Sequence, residues 1–145
     1  MKAGIVYTAP TQESVKAINT EIENCLGEEI EIVDYQDATI LDEIRDCGYV
    51  TASAAAKMVS LLMQAVADGV DAILCCCSSV GEVVDASQSI ASYVGVPIIK
   101  IDEEMCREAV RLGKNIGILA TLPTTMEPTR TALLHAAQDM NRQIV

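Results

Sequence analysis

Short apolar runs alternate with longer stretches of helical periodicity along most of the chain. Five runs have the length of strands: Ala3–Tyr7, Ile30–Val33, Val70–Cys76, Pro97–Ile101 and Ile116–Ala120. The third run is apolar almost throughout, which is typical of a parallel strand covered on both faces. Parallel strands need crossover connections, and the stretches between the runs supply helices for them. The alternation therefore predicts an α/β fold built on a parallel sheet.

Apolar residues recur at helical spacing between these runs. Gly27 and Gly69 are typical of residues that end a helix. The expected helices run from about Val15 to Leu26, from Thr51 to Gly69, and over Gly81–Tyr93, Glu103–Leu112 and Glu127–Asn141. Residues Asp37–Tyr49 are polar, and we expect them to be irregular or briefly helical.

The formal net charge is -11, and no cluster of Lys or Arg interrupts the acidic sequence. Nucleic acids and anionic membrane surfaces bind basic patches that displace counterions, so neither is expected as a partner. Every apolar run is shorter than the roughly 18 residues of a membrane span. A small carboxylate remains a possible substrate, held by hydroxyls and backbone N–H groups rather than by a basic pocket.

Six cysteines are present, and the apolar run in MKAGIVYTAP is too short for a signal peptide. Without a secretory signal, we expect reduced thiols in a cytoplasmic protein rather than a disulfide framework. The sequence contains no CxxC pair and its only histidine is His135, so no metal site is expected.

Hydroxyl-bearing residues follow three of the predicted strands. In open α/β sheets ligands bind beyond the carboxyl ends of the strands, and each of these loops precedes a helix N-terminus suited to an anion. Helix capping is the simpler explanation for any single loop. Three such loops on one rim favour a binding site. The candidates are Thr8 in the first loop, Ser78 and Ser79 in the second, and Thr121, Thr124 and Thr125 in the third.

Three consecutive cysteines end the third strand in the segment ILCCCSSVG. Cys75 and Cys76 lie within the apolar run, where successive side chains face the two helical layers, and we expect both to pack as small hydrophobes. Cys77 lies where the strand gives way to the loop. A thiol there meets the positive end of a helix dipole, which favours the thiolate needed in a nucleophile or base. A third buried small residue is the alternative. Packing is also the better account of Cys25, Cys47 and Cys106.

The segments DAILCCCSSVGEVVD, VPIIKIDEEMCREAV and NIGILATLPTTMEPT resemble the aspartate/glutamate/hydantoin racemase superfamily. This group includes cofactor-independent amino-acid and hydantoin racemases, together with arylmalonate decarboxylases and maleate isomerases. The resemblance implies a three-layer, parallel-sheet lobe of the Rossmann or flavodoxin type over residues 1–113. Residues 114–145 would then supply the first strand and helix of a second, similar lobe.

The resemblance also implies roles for the candidate residues. Cys77 matches the first catalytic cysteine of the family, and Ser78 and Ser79 match positions that hold the substrate carboxylate. Thr8 falls in a loop that faces substrate, and Thr121, Thr124 and Thr125 match the hydroxyl loop that opens the second lobe. Two cysteines flank the substrate α-carbon in this mechanism, one removing the proton and the other returning it, without pyridoxal phosphate or any other cofactor.

Family members are longer, and their second cysteine belongs to the second lobe. Cys106 precedes the fifth predicted strand in a helical pattern, so it does not match that cysteine. We therefore expect the second cysteine to come from a missing lobe or from a partner chain. The apolar faces of the last strand and helix would be exposed, which favours a homodimer.

Two other functions are compatible with the residues. One is a one-cysteine enzyme that decarboxylates or isomerises a small dicarboxylate. The other is a non-catalytic carboxylate- or phosphate-binding α/β domain in which all three consecutive cysteines pack.

Overall fold

Four parallel strands form a single sheet in the computed structural model, which describes residues 1–27 and 29–145. The strands are β1 (Lys2–Tyr7), β2 (Glu31–Gln36), β3 (Ala72–Cys75) and β4 (Ile98–Lys100), in the order β2-β1-β3-β4. The helices are α1 (Gln12–Leu26), α2 (Ala38–Cys47), α3 (Ala52–Ala67), α4 (Gly81–Val94), α5 (Glu103–Leu112) and α6 (Pro123–Asp139). The predicted α/β class is confirmed, and the lobe is three-layered and of the Rossmann/flavodoxin type.

The two faces of the sheet bury different residues because side chains alternate along each strand. Ala3, Ile5 and Tyr7 of β1 pack against α1 on one face. Val6 of β1 and Ile73 of β3 face the opposite side. There they join a larger core that includes Ile40 and Ile44 of α2, Met58 and Leu62 of α3, and Val84 of α4.

The α1 layer covers only part of its face. Leu74 of β3 is half-buried there, and its partner in the adjacent strand, Ile99, is 47% exposed. Ile101, just beyond β4, is 45% exposed. The sheet is therefore fully covered on the α2–α3–α4 side and open next to β4 on the other.

Residues Asp37–Tyr49 contain a regular helix rather than an irregular segment. Asp37 caps α2 by accepting a hydrogen bond from the backbone N–H of Thr39 at 2.9 Å. Ile40, Leu41 and Ile44 are buried. This spacing of three apolar residues presents one apolar face to α3, which is enough to stabilise a helix of ten residues by tertiary packing.

The fifth predicted strand, Ile116–Ala120, does not form. These residues have no regular secondary structure, and the backbone N–H of Ile116 donates to the carbonyl of Val145 at 3.1 Å. Ile116 and Ile118 pack against a separate apolar cluster, which includes Cys106 and Val110 of α5 and Leu133 of α6. The isoleucines of this run cover that cluster instead of pairing with the edge of the sheet.

The last helix begins earlier than its apolar spacing indicates, at Pro123 instead of Glu127. Proline is favoured at the first position of a helix because its missing N–H has no intrahelical partner there. A second proline, Pro128, lies inside α6, which packs on α5 and also contacts α4 and the 3-10 turn Ser78–Val80.

Among the described residues, no helix combines the length and apolar character required to cross a lipid bilayer.

The centre of the sheet leaves little room for a side chain at position 4. A Cβ atom on Gly4 would lie 3.3 Å from the side chains of Tyr35, Ala65 and Val70. We expect Gly4→Val to lower the free energy of unfolding by about 1–3 kcal/mol, because its extra methyl groups overpack the junction of β1 with α3. Urea denaturation measures the change.

Gly117→Ala is the matched control, since a Cβ atom there has no neighbour within 4 Å. We expect it to change stability by no more than about 0.5 kcal/mol. Equal stabilities of Gly4→Val and the unsubstituted protein would contradict the packing described.

Candidate active site

A cavity of about 260 Å³ opens at the carboxyl ends of β1 and β3. We call it the Cys77 cavity. It brings together five of the seven predicted site residues: Thr8, Cys77, Ser78, Ser79 and Thr125. The loops after β1 and β3 supply the first four, and α6 supplies Thr125. The remaining lining residues are Tyr7, Ala9, Pro10, Ser14, Ile18, Leu41, Cys76 and Leu122.

The other two predicted residues lie elsewhere. Thr124 lines a neighbouring cavity of about 330 Å³, which we call the Glu82 cavity. Its lining residues are Ile44, Gly48, Tyr49, Val50, Ser79, Glu82, Pro123, Thr124, Glu127 and Pro128. Thr121 is exposed and lines neither of these cavities.

Ser79 lies between the two cavities and lines both. Its side chain is only 4% exposed, and its Oγ lies 3.4 Å from Oγ1 of Thr124 and 3.4 Å from Oγ1 of Thr125. These three hydroxyls connect the 3-10 turn after β3 to the first turn of α6. The contact fixes the position of α6 against the rim of the sheet.

Helix capping does not explain the candidate hydroxyls at any of the three loops. At the first loop, the cap of α1 is Thr11, whose Oγ1 accepts from the N–H of Ser14 at 3.1 Å, so Thr8 is not used. The 3-10 turn, α4 and α6 have no side-chain cap. The hydroxyls of Ser78, Ser79 and Thr125 are therefore not helix caps, although those of Ser79 and Thr125 contact each other.

Burial separates the three consecutive cysteines. Cys75 is 1% exposed within the main core, and this burial raises the pKa of its thiol to about 12. Cys77 is half-buried and lines the cavity just before the 3-10 turn. Cys75 packs as predicted, and Cys77 lies at the cavity, where its predicted role stays a prediction.

Cys76 differs from its prediction. It contacts the α1 side of the sheet, but it also lines the Cys77 cavity and is half-buried. The strand ends at Cys75, so no neighbouring strand covers the next residue completely. Burial, with smaller contributions from Cys77 and Asp34, raises the pKa of Cys76 to about 12, and its thiol stays protonated at neutral pH.

The remaining cysteines lie outside both cavities. Cys106 is 1% exposed in the α5–α6 cluster, where burial raises its pKa. Cys25 and Cys47 are exposed, so the expectation that packing accounts for them is wrong. Both lie at the ends of short amphipathic helices, on the side turned to solvent.

Tyr7 is the most notable lining residue that the sequence analysis missed. Its ring is 3% exposed, and its hydroxyl donates to Oδ1 of Asn19 at 3.4 Å. Burial, with further contributions from Asp34 and Cys76, raises its pKa, so the phenol remains a neutral hydrogen-bond donor. Its position at the end of β1, directly before Thr8, was the available signal.

The described lining residues of the Cys77 cavity include no Lys, Arg, His, Asp or Glu. A carboxylate bound there would be held by hydroxyls and backbone N–H groups alone. Within the described part of the chain, no group of three or more His, Cys, Asp or Glu side chains is arranged to hold a metal ion.

A family model described as Asp/Glu/Hydantoin racemase matches residues 4–144. No curated protein matches the chain. Among solved structures, the chain is similar to an ABC transporter periplasmic solute-binding protein from Actinobacillus succinogenes 130z with bound D-allose, at 15% identity and a TM-score of 0.44. That match covers 99% of this chain and 56% of the other, so the chain spans just over half of that protein's length. A TM-score below 0.5 supports no functional argument.

The burial and pKa differences predict the order in which the thiols react with iodoacetamide. The measurement uses a Cys25→Ser/Cys47→Ser variant, since those exposed thiols would otherwise consume the reagent. At mildly alkaline pH we expect Cys77 to be modified first and Cys76 far more slowly, because only the thiolate reacts and Cys76 stays protonated below its pKa of about 12.

Cys75 and Cys106 should react only after unfolding, and the reactivity of Cys76 should rise as the pH approaches 12. Peptide mass spectrometry gives the rate at each site. Modification of Cys75 or Cys76 as fast as Cys77 would contradict this placement of the thiols.

Proposed function

The chain belongs to the Asp/Glu/hydantoin racemase family, and on this premise we propose that Cys77 removes the α-proton of a small carboxylate substrate. The reaction is of the isomerase type and needs no pyridoxal phosphate. One observation carries the proposal: the half-buried Cys77 thiol shares a single small cavity with Thr8, Ser78, Ser79 and Thr125.

The hydroxyls would position the substrate. Ser78 and Ser79 follow Cys77 directly, so a carboxylate that accepts hydrogen bonds from them places the adjacent α-carbon beside the sulfur. Thr8 and Thr125 line the same space from the other two loops. Such donors also stabilise the negative charge that develops on the substrate, since they are held in place before the reaction begins.

The proton transfer is a simple exchange of bonds. The Cys77 thiolate takes the α-hydrogen, so that the C–H bond breaks, an S–H bond forms and the electron pair moves onto the substrate as an enolate. Return of a proton to the same face regenerates the starting enantiomer. Return to the opposite face by a second acid gives the other enantiomer.

Cys106 is not suited to be the second acid because it lies in the α5–α6 cluster and lines no part of the Cys77 cavity. Cys76 does line the cavity, and its raised pKa keeps it protonated, as a proton donor must be. The family mechanism takes its second cysteine from another lobe. Hydrogen exchange at the α-carbon and net inversion are therefore separate measurements for this chain.

Two observations favour an enzyme over a non-catalytic binding domain. In the non-catalytic alternative all three consecutive cysteines only pack, whereas Cys77 and Cys76 line a cavity in addition to contacting the apolar clusters on the two sides of the sheet. The hydroxyls beside them are not used as helix caps. Hydroxyls alone are sufficient to bind a carboxylate, whereas the half-buried thiol beside them adds a group that can remove a proton.

The test is hydrogen exchange in heavy water, followed by proton NMR of alanine, asparagine, aspartate and a 5-substituted hydantoin. We expect loss of the α-proton signal from at least one of these substrates. Cys77→Ala should slow that exchange by about 10²- to 10⁴-fold, the usual contribution of a general base.

Cys106→Ala is the control, because it makes the same substitution at a buried thiol outside the cavity. We expect it to keep the exchange rate within a few-fold of the unsubstituted protein. Exchange that survives in Cys77→Ala, or that is absent from every substrate, would contradict the proposed base. Polarimetry of the same samples measures inversion.

A further inference from the structure

We propose that a third cavity is a second binding site, for a small zwitterion that carries both an ammonium and a carboxylate, as a free α-amino acid does. This cavity has a volume of about 350 Å³ and lies between β4, α4, α5 and α6. We call it the Asp139 cavity. It shares no lining residue with the Cys77 cavity, and the inference concerns binding alone, so it does not rest on the proposed function.

The Asp139 cavity lies at the edge of the sheet where no further strand pairs. β4 is the last strand in the order β2-β1-β3-β4, and all three of its residues line the cavity. α6 forms another wall, to which Ala132 and Ala136 contribute only methyl groups. These small side chains leave the space between the helix and the strand open. Its volume is within the range of small-molecule sites.

The free edge of β4 supplies backbone donors for a carboxylate. The carbonyl of Pro97 and the N–H of Ile101 both bond to β3. In a parallel pair the polar groups of alternate residues point away from that partner. The carbonyl of Ile98 does so, and it accepts from Nε2 of Gln88 at 2.7 Å. The N–H groups of Ile98 and Lys100 point to the same side, and no hydrogen bond among the described residues uses either of them.

Charges of both signs line the cavity, and three of these groups already contact one another. Nζ of Lys100 lies 2.6 Å from Oδ1 of Asp85, and the Lys100 side chain is only 12% exposed. Oδ2 of Asp85 lies 3.8 Å from Nδ1 of His135. These contacts join the end of β4 to α4 and α6. The charged groups left for a ligand are those of Arg107 and Asp139.

Arg107 of α5 keeps donors for a carboxylate. Its Nη2 donates to Oε1 of Glu103 at 2.9 Å, and the described residues give the guanidinium no other hydrogen bond. A guanidinium carries five N–H donors, two of which can bond to one carboxylate in parallel. A carboxylate in the cavity can therefore be held by Arg107 together with the edge of β4.

Asp139 is suited to the ammonium. It is the last residue of α6, where the partial negative charge of the helix end makes an acidic side chain unfavourable. Within the described part of the chain it forms no ion pair and no side-chain hydrogen bond, and the last turn of α6 has no basic residue. An ammonium beside Asp139 would offset both charges. Oε1 of Gln88 is a further acceptor, since the amide nitrogen of that side chain is engaged.

The two sets of groups together select a ligand with both charges. A simple anion bound to Arg107 would leave the Asp139 carboxylate uncompensated nearby, and a simple cation at Asp139 would leave the free donors of Arg107 unused. An α-amino acid satisfies both. Its side chain can contact the apolar part of the wall, formed by Ile98, Ile99 and the two alanines of α6.

The test is titration of the ¹⁵N-labelled chain with alanine, valine, leucine and glutamine, followed by ¹⁵N–¹H correlation NMR. The backbone amides of Ile98 and Lys100 report on the Asp139 cavity, and those of Thr8 and Ser78 report on the Cys77 cavity. The measurement therefore locates binding directly and needs no turnover. Alaninamide, which lacks the carboxylate, and N-acetylalanine, which lacks the ammonium, are the matched ligands for alanine.

We expect saturable shifts at Ile98 and Lys100 with at least one of the four amino acids. The two analogues of alanine should bind there at least about 10-fold more weakly than the best amino acid. Asp139→Asn and Arg107→Gln should each raise its Kd at least about 10-fold, because each removes one charged partner. Asp139→Asn should keep the fold, since it removes an unfavourable charge from the end of α6.

Glu23→Gln and Lys16→Gln are the controls, because they make the same changes of charge on α1, away from this cavity. We expect both to leave the Kd unchanged. The absence of shifts at Ile98 and Lys100 with all four amino acids would overturn the inference. So would equally tight binding of alaninamide or N-acetylalanine, or an unchanged Kd in Asp139→Asn and Arg107→Gln. Binding at this cavity without α-hydrogen exchange would uphold the inference and overturn only the proposed function.

Discussion

The parallel pairing of β1 with both β2 and β3 determines where this protein can hold a ligand. Because β1 lies between its neighbours, the chain leaves β1 toward one face of the sheet and leaves β3 toward the other. The two loops diverge, and the space between them cannot be filled by a helix. Thr8 and Cys77 lie on either side of that space because each is the first or second residue beyond its strand. The other lining residues of the Cys77 cavity, including Thr125 of α6, surround the space between these two loops.

The same strand end explains why three consecutive thiols have three environments. Cys75 is the last residue of β3 and has strands on both sides, so its thiol is sealed and protonated. Cys76 lies one residue beyond the end of β3. It packs against the α1-side cluster and also lines the Cys77 cavity. Cys77 begins the turn into α4, where the backbone has left the sheet. Three consecutive cysteines therefore lie in three different environments, because each is one residue further from the end of the strand.

The sequence was sufficient for the features that depend on local burial. β1, β3 and α5 were found because an apolar run or a helical stripe is visible in the residues themselves. The strand predicted at Ile116–Ala120 does not form. A strand must pair with a neighbouring strand, and the five residues of an apolar run do not show whether it will do so. The start of α6 was missed because its first turn, PTTM, contains no apolar stripe and is held by the contact of Ser79 with its two threonines.

Some of the site residues could be grouped from the sequence, and others could not. The grouping of Thr8 with Cys77 and Ser78 follows from strand order, which the alternation of elements suggested. The separation of Thr124 from Thr125 into two cavities depends on the rotation of α6 about its own axis. The sequence shows neither that rotation nor the exposure of Thr121. The part of a site that follows strand ends can thus be predicted from sequence, but a wall contributed by a packed helix cannot.

A strongly acidic protein has two ways to bind an anion: it can concentrate its few cations at one place, or it can use neutral donors. In this chain several of the cations are paired with carboxylates away from the Cys77 cavity. Lys100 pairs with Asp85 at 2.6 Å, and Arg111 pairs with Glu104 and Glu108. Hydroxyl and N–H donors carry no net charge, so a site made from them stabilises one anionic group at short range and gives no attraction at long range. Such a site depends on the placement of its donors, and the contact of Ser79 with Thr124 and Thr125 joins the 3-10 turn to α6 beside the cavity.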